Sequence, residues 1–236
     1  MSDALPTPIL AVDASSYGGT VAVLRDGRIV ASQTVAMRGE REERLMPAVV
    51  ATLADAGLAP NALGGVVCGA GPGSFTSLRI AASIAKGIAH AASVPLFAVP
   101  SLALMAAGGP LPDGRYLTVL DAIRGEWYAA DVTTAGGQVA GYEYLGVVAA
   151  SHGPVLARER GARLVVPEGL VVASDESAVR ASPDARGVAH AIALIASAGA
   201  VDLDGWEPEY GRKAEAQVKW EAAHGRALPA DAGTPG

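Results

Sequence analysis

Two aspartates and one glycine-rich loop carry the residue types that could do chemistry in this chain. Asp13 closes the apolar run Ile9-Leu10-Ala11-Val12, Asp121 closes Tyr116-Leu117-Thr118-Val119-Leu120, and Gly71-Pro72-Gly73-Ser74 separates the apolar run 65–68 from a long alanine-rich stretch. Carboxylates at two strand ends can orient a metal or a water, and a glycine loop opening a helix can hold a phosphate on the helix's free N–H groups. The same residues also meet purely structural needs. Gly71 and Gly73 supply positive φ or close backbone approach, Pro72 stiffens the turn, and Ser74 is placed to cap the helix. Strand–loop–helix junctions use glycine and a cap whether or not a ligand sits there.

The remaining candidates carry less. Lys86 lies well inside the helical stretch, and the Gly-x-x-x-x-Gly-Lys-[Ser/Thr] spacing of a phosphate-gripping loop is missing. The single cysteine, Cys68, sits in an apolar run and reads as a buried thiol, with no disulfide framework or thiolate cluster to join. His90, His152, His190 and His224 are scattered, at no metal-ligand spacing.

The elements that must position these groups follow from hydrophobic patterning. Residues 9–13 read as a strand, 17–19 as a flexible turn, 20–24 as a second strand, Asp26-Gly27 as a hairpin turn and 28–32 as a third strand. Leu45, Val49 and Leu53 at four-residue steps predict a helix over about 40–56 that stops at Gly57, with Pro47 kinking it or delaying its regular geometry. A strand at 66–68, a helix over about 74–92 and a strand at 95–99 complete βββαβαβ, hence a mixed sheet with helices on at least one face. The 74–92 helix has two apolar stripes. One is Ile80, Ile84 and Ile88; the other, mostly small, is Leu78, Ala82, Ala85 and Ala89, and would let a second helix approach closely.

Gly and Pro accumulate over 106–114, read as a boundary between a first domain at 1–108 and a smaller one at 109–224, with 225–236 a disordered tail. Beyond the boundary the opening pattern returns: strands at 116–121, 126–132 and 138–145, then 164–166, 170–173 and a helix over 188–198. The repeat implies duplicated architecture, its second copy degraded, because the glycine-rich loop has no counterpart there.

Of 236 residues half are hydrophobic but only 5% aromatic, enough for a sizeable core packed closely by small side chains. A net charge of −6 offers no basic face for nucleic acid. No signal peptide and no apolar run of membrane-spanning length is present, so a soluble cytoplasmic protein is expected.

Two hairpin-led α/β halves, each with an aspartate ending its first strand, resemble the actin, sugar-kinase and Hsp70 ATPase superfamily, whose halves are ribonuclease H-like. More narrowly, Asp13-Ala14-Ser15-Ser16, Gly71-Pro72-Gly73-Ser74-Phe75-Thr76 with Leu78-Arg79, Ala85-Lys86-Gly87-Ile88-Ala89, Val99-Pro100-Ser101-Leu102, Asp121-Ala122 and Pro208-Glu209-Tyr210 with Arg212 resemble the TsaB (YeaZ) family. The 71–79 signature is fairly specific; the others are weak singly. Ser77, Ile123, Gly211 and Arg41 depart from the usual pattern, which has glycine, arginine, an apolar residue and histidine at those places.

The resemblance implies an α/β fold of two mixed sheets flanked by helices, and a non-catalytic dimerisation subunit of the machinery that makes N6-threonylcarbamoyladenosine in tRNA. It implies a TsaD-like catalytic partner, a TsaE-like ATPase in the larger complex, either a homodimer or a monomer when the partner is absent, tRNA met only indirectly, no membrane and no cofactor. The TsaD-like relatives hold metal with a histidine pair on their first helix, where this chain reads Glu40-Arg41-Glu42-Glu43-Arg44-Leu45. The expected partner surface comprises Arg41, Arg44, Leu45 and Val49 on the first helix and Leu78, Ala82, Ala85, Lys86 and Ala89 on the second, with Gly71, Pro72, Gly73 and Ser74 fixing where the second helix starts. A degenerate ATPase using Asp13, Gly73 and Asp121 is the alternative from another class. A metallopeptidase is a further one, disfavoured by the missing histidine pair.

Overall fold

The computed structural model describes residues 5–37, 43–109, 111–172, 177–212, 220 and 223–225. Arg41 and nearly all of the expected tail at 225–236 lie outside them. Two five-stranded sheets organise the chain. The first contains β1 (Ile9–Asp13), β2 (Gly18–Arg25), β3 (Arg28–Ala36), β4 (Gly65–Gly69) and β5 (Leu96–Val99) in the order β3-β2-β1-β4-β5. The second contains β6 (Gly114–Asp121), β7 (Glu126–Ala135), β8 (Gln138–Ala149), β9 (Arg163–Val166) and β10 (Val179–Arg180) in the order β10-β9-β6-β7-β8. Read from its hairpin edge, each sheet runs third, second, first, fourth, fifth strand. In both, the hairpins pair antiparallel and the crossovers parallel.

Helices fill the layers around the sheets. On the outer face of the first sheet, α1 (Leu45–Asp55) and α2 (Phe75–Ala92) bury Leu45, Val49, Ala81, Ala85 and Ala89 against Leu10, Val12, Val66 and Cys68. Between the sheets lie α3 (Ser101–Ala107), a 3-10 turn at Ala185–His190 and α5 (Ile192–Ala198), packed on Ile9, Ala11 and Val67 from one side and Tyr116, Leu120 and Val132 from the other. All seven residues of α3 are buried, which explains why its sequence after Ser101 is apolar throughout. On the outer face of the second sheet, α4 (Gly153–Glu159) covers Leu117, Trp127 and Leu164.

Local sequence accounts for the main turns and ends. Asp26 and Gly27 both take positive φ, the backbone a two-residue hairpin turn needs. The expected kink at Pro47 is not required: α1 starts at Leu45, so Pro47 is its third residue, where an N–H has no intrahelical acceptor. The free N–H groups of Leu45 and Met46 instead donate to the Glu43 carboxylate. Gly18 and Gly19 are not a flexible turn. They begin β2, and a Cβ at Gly19 would lie 2.8 Å from Met37 Sδ and 2.9 Å from Leu45 Cδ1, so glycine admits close packing there.

The second half departs from expectation at one strand and one helix. Leu170, Val171 and Val172 form loop, with Ala173 outside the described residues; Val171 is 87% exposed, and the strand on the side of β9 away from β6 is the two-residue β10. A hydrophobic triplet without a paired neighbour is not held as a strand. The helix expected over 188–198 divides into the 3-10 turn and α5.

Candidate functional site

The strand ends carrying Asp13, Gly69 and Asp121 open into a cleft between the two sheets. It encloses about 810 Å³, lined on one wall by Ser15, Ser16, Gly73 and Thr76 and on the other by Asp121, Ile123 and Arg124. Crevices at the carboxyl ends of strands are where α/β folds place ligands, so the cleft is the natural place to test the chemical reading of the two aspartates.

Asp13 is fully buried and already committed to its own chain. Its Oδ1 accepts from the Ser15 N–H at 3.0 Å and the Ser15 hydroxyl at 2.8 Å, and its Oδ2 accepts from the Ser101 hydroxyl. Ser101 Oγ in turn accepts the N–H of Gly71 at 3.0 Å. Burial pushes the Asp13 carboxyl above the usual carboxylate range, against the opposing effect of the Ser101 and Ser15 bonds. The group thus ties β1, the glycine loop and the start of α3 together. In the sequence Ser101 is marked only as part of Val99-Pro100-Ser101-Leu102. Its role became visible once β4 and α3 placed it against Asp13, and a cap-type residue directly after Pro100 was the available signal.

Asp121 makes the same turn in the second half without the burial. Its Oδ1 accepts the Ile123 N–H at 2.8 Å, repeating the Asp13–Ser15 pattern, and its Oδ2 accepts from Tyr17 Oη at 3.1 Å across the cleft. Ile123, Arg124 and Gly125 follow in succession with φ of 64°, 60° and 75°. A β-branched side chain in that region is an outlier, and it leaves Ile123 61% exposed on the cleft wall. The Ile123 departure from the family pattern therefore changes the rim and not the core.

The glycine loop is filled by the protein itself. A Cβ at Gly73 would lie 2.1 Å from Ser15 O, and one at Gly71, whose φ is +87°, would lie 2.2 Å from Glu209 O. Ser74 N–H donates to Ser15 O at 2.8 Å. Ser74 stands at the N-cap of α2 but makes no side-chain cap bond; its hydroxyl pairs with Ser77 Oγ at 3.1 Å. Ser77, in place of the usual glycine, supplies that partner and is almost wholly buried. Cys68 is buried, and burial pushes its thiol far above the ordinary range, away from thiolate chemistry.

The structure places the expected partner-surface residues mostly inside. Leu45, Val49, Leu78, Ala85 and Ala89 are fully buried and Ala82 is 6% exposed. The small stripe of α2 faces its own sheet, because alanines let the helix axis lie close to β1 and β4. Ala85 and Ala89 of that stripe belong to the core shared with β1 and β4, and Leu78 and Ala82 are buried as well. Lys86 is half-buried and donates to the carbonyl of Trp206 at 3.0 Å, and Arg44 is exposed at the start of α1. What α1 and α2 turn outward is Met46, Val50, Phe75 and Ser83, with Ile80 and Ile84 half-buried beside them. Phe75, Thr76, Arg79, Ile80, Ser83 and Ile84, with Glu43, line an open groove on this face.

The histidines stay apart. His90 ends α2, His190 Nδ1 lies 2.8 Å from the Gly137 carbonyl oxygen, and His224 stacks on Trp220. Among the described residues no three His, Cys, Asp or Glu side chains converge on one point, and no helix is long and apolar enough to cross a membrane.

Paired sheets of identical strand order, with a cleft at their carboxyl ends, define an α/β protein of the actin-like ATPase type. Residues 28–171 match the model of the TsaD family, described as tRNA N6-adenosine threonylcarbamoyltransferase. The chain is 38% identical over 120 residues to the tRNA threonylcarbamoyladenosine biosynthesis protein TsaB of Bacillus subtilis, a match covering 51% of this chain and 52% of that protein. It is 36% identical over 125 residues to the protein of the same name from Escherichia coli, covering 52% and 54%. The chain spans about half the length of the curated relatives it matches. Among solved structures, YeaZ from Pseudomonas aeruginosa superposes with a TM-score of 0.70 at 25% identity, covering 86% of this chain and 99% of that one. The chain belongs to the TsaD family and, within it, is a TsaB/YeaZ member.

Proposed function

We propose that this chain is a non-catalytic dimerisation subunit in the synthesis of N6-threonylcarbamoyladenosine in tRNA, and that it acts by binding a TsaD-like catalytic subunit. The observation that carries this reading is the commitment of the cleft's chemical groups to the fold. Both Asp13 oxygens accept bonds from Ser15 and Ser101, and Ser15 O fills the space beside Gly73 where a phosphate would approach. The names of the Bacillus and Escherichia relatives support the pathway, and the TsaD family match supports a TsaD-related partner. In the cytoplasm, a TsaE-like ATPase joins the larger complex, tRNA is reached through the partner, and without the partner the chain is either a homodimer or a monomer.

The surface assigned to the partner is the outward face of α1 and α2: Arg44, Met46 and Val50 with Phe75, Arg79, Ile80, Ser83 and Ile84. Arg41, just before the described part of this face, belongs to the same assignment. Leu45, Val49, Leu78, Ala82, Ala85 and Ala89 support this face from beneath, and Gly71 to Ser74 set where α2 begins. Val50→Glu and Ser83→Arg place charge and bulk on exposed positions. Each variant should keep the wild-type circular dichroism and melting temperature and lose co-elution with the TsaD-like protein on a sizing column. Co-elution undiminished in both would end the assignment.

The 810 Å³ cleft favours one second reading, a degenerate nucleotide-binding protein using Gly73 and Asp121. Calorimetric titration of the isolated chain with Mg-ATP separates the two, since micromolar binding belongs to the second alone.

A further inference from the structure

The segment Pro208-Glu209-Tyr210-Gly211-Arg212 touches both walls of the cleft within a few residues. On the first half, the Glu209 N–H donates to the Ala70 carbonyl at 2.8 Å, and the Tyr210 ring lies 4.5 Å from the Phe75 ring, centroid to centroid. On the second half, the Tyr128 hydroxyl donates to the Tyr210 carbonyl at 3.2 Å, and the Arg212 guanidinium pairs with Glu126. Gly211 sits at the crossing point with φ +70°; a Cβ there would lie 2.9 Å from Pro72 Cβ and 2.4 Å from Tyr128 Cε1. An apolar residue, usual in the family at this place, has no room in this chain.

A second join between the halves lies behind the cleft. There α3 and the 185–190 turn are wedged between the sheets, with the Ala185 N–H donating to Thr20 Oγ1 at 2.9 Å and Gly187 pressed against the Gly108 backbone. At the mouth, the Tyr17–Asp121 hydrogen bond is another direct bridge. The chain reaches the mouth by a long route: it leaves the second sheet after Arg180, pairs Ala200 with Phe97 at the β5 edge of the first, and lays Leu203 and Trp206 on the outer core while Lys86 holds the Trp206 carbonyl. Two bodies packed together at one end tilt about that end unless the other end is also held.

The geometry points to residues 208–212 as a clasp that sets the opening of the cleft, and with it the orientation of the α2 N-terminus relative to the second half. The clasp is a property of this chain alone and stands or falls independently of which partner α2 meets.

The test uses the full chain with paired nitroxide labels at Thr76→Cys and Arg124→Cys, exposed positions on opposite walls; the native Cys68 is buried and takes no label. Pulsed dipolar spectroscopy should give one narrow distance distribution in the parent. In the Tyr210→Ala, Arg212→Ala double variant the distribution should broaden and its mean move by several ångströms, with circular dichroism unchanged. Glu126→Gln, a surface change that removes one arm only, should broaden it less, and Tyr17→Phe should leave most of the narrow component in place. A distribution unaltered in the folded double variant, or unaltered in Glu126→Gln if the double variant fails to fold, overturns the clasp.

Discussion

The two halves share a plan and differ at one crossover. In each, the first strand ends in an aspartate whose Oδ1 accepts the N–H two residues on, and a long hairpin follows. After the fourth strand they part. From β4 the chain climbs through the glycine loop into the eighteen residues of α2 and returns as β5. From β9 it crosses to β10 over 167–178, with no helix among the described residues of that span. The consequence is visible in burial. Asp13, under the loop and α3, is sealed, whereas Asp121, with no such cover, reaches the cleft. The same local turn is a structural keystone in one half and a rim in the other, which shows that an Asp at a strand end has no fixed chemistry apart from what packs over it.

Several substitutions can break or sharpen that contrast. Ala82→Glu should have the largest effect, because it buries an unpaired carboxylate on the inner side of α2. A loss of about 4 kcal/mol or more in urea denaturation is expected, abolishing folding rather than dimerisation alone. Gly73→Ala, forced against Ser15 O, should cost about 3 kcal/mol, while Gly169→Ala in the loop after β9 should cost about 1 kcal/mol, since its φ is +80° but its surroundings are open. Equal melting temperatures for these two variants would contradict the contrast directly.

Asp131→Ala probes the second half's own electrostatics. Burial raises the Asp131 carboxyl, but bonds from Arg115 and Arg160 outweigh it and hold the group below its usual range. The stabilisation is therefore present above the unfolded value near ~3.9 and is lost as pH falls through the lower folded one. The variant should lose about 1 kcal/mol at pH 7, because both arginines are partly solvated, and this difference should shrink only as pH falls from about 4 through the lower folded value.

The smallest effect compares the two strand-end aspartates. Asp13 is raised by burial, so its charged form costs stability increasingly as pH rises above the unfolded value. Asp13→Asn keeps the shape and removes the charge; its stability relative to the parent should improve between pH 3 and pH 7. Asp121→Asn should stay within about 0.5 kcal/mol of the parent at pH 7. A pH-independent difference for Asp13→Asn would show that the carboxyl is not the titrating group.

Much of the plan was legible in sequence because it is periodic or local. The strands around Asp13 and Asp121, the Asp26-Gly27 hairpin, the extent of α2 and the doubled hairpin-led pattern rest on alternation, helical spacing and turn residues. The cleft is legible only in part: residue type and spacing mark Asp13, Gly73 and Asp121, and a cap-type position marks Ser101 weakly, while Tyr17 and Tyr128 carry no local mark, since each acts on a group 82 to 104 residues away. The Leu170-Val171-Val172 strand failed because hydrophobicity names a candidate and a paired neighbour makes a strand.

The sequence by itself determined the strands of the two hairpin-led sets, the extent of α2, the Asp26-Gly27 turn and that two similar halves follow one another, for those properties depend on residues within a few positions of each other. The tertiary structure alone decided which stripe of α2 is inside, whether a strand-end aspartate is sealed or open, and why position 211 is glycine. Each of those depends on distant groups meeting in space: alanines against a sheet, Ser101 against Asp13, and a returning chain squeezed between Pro72 and Tyr128.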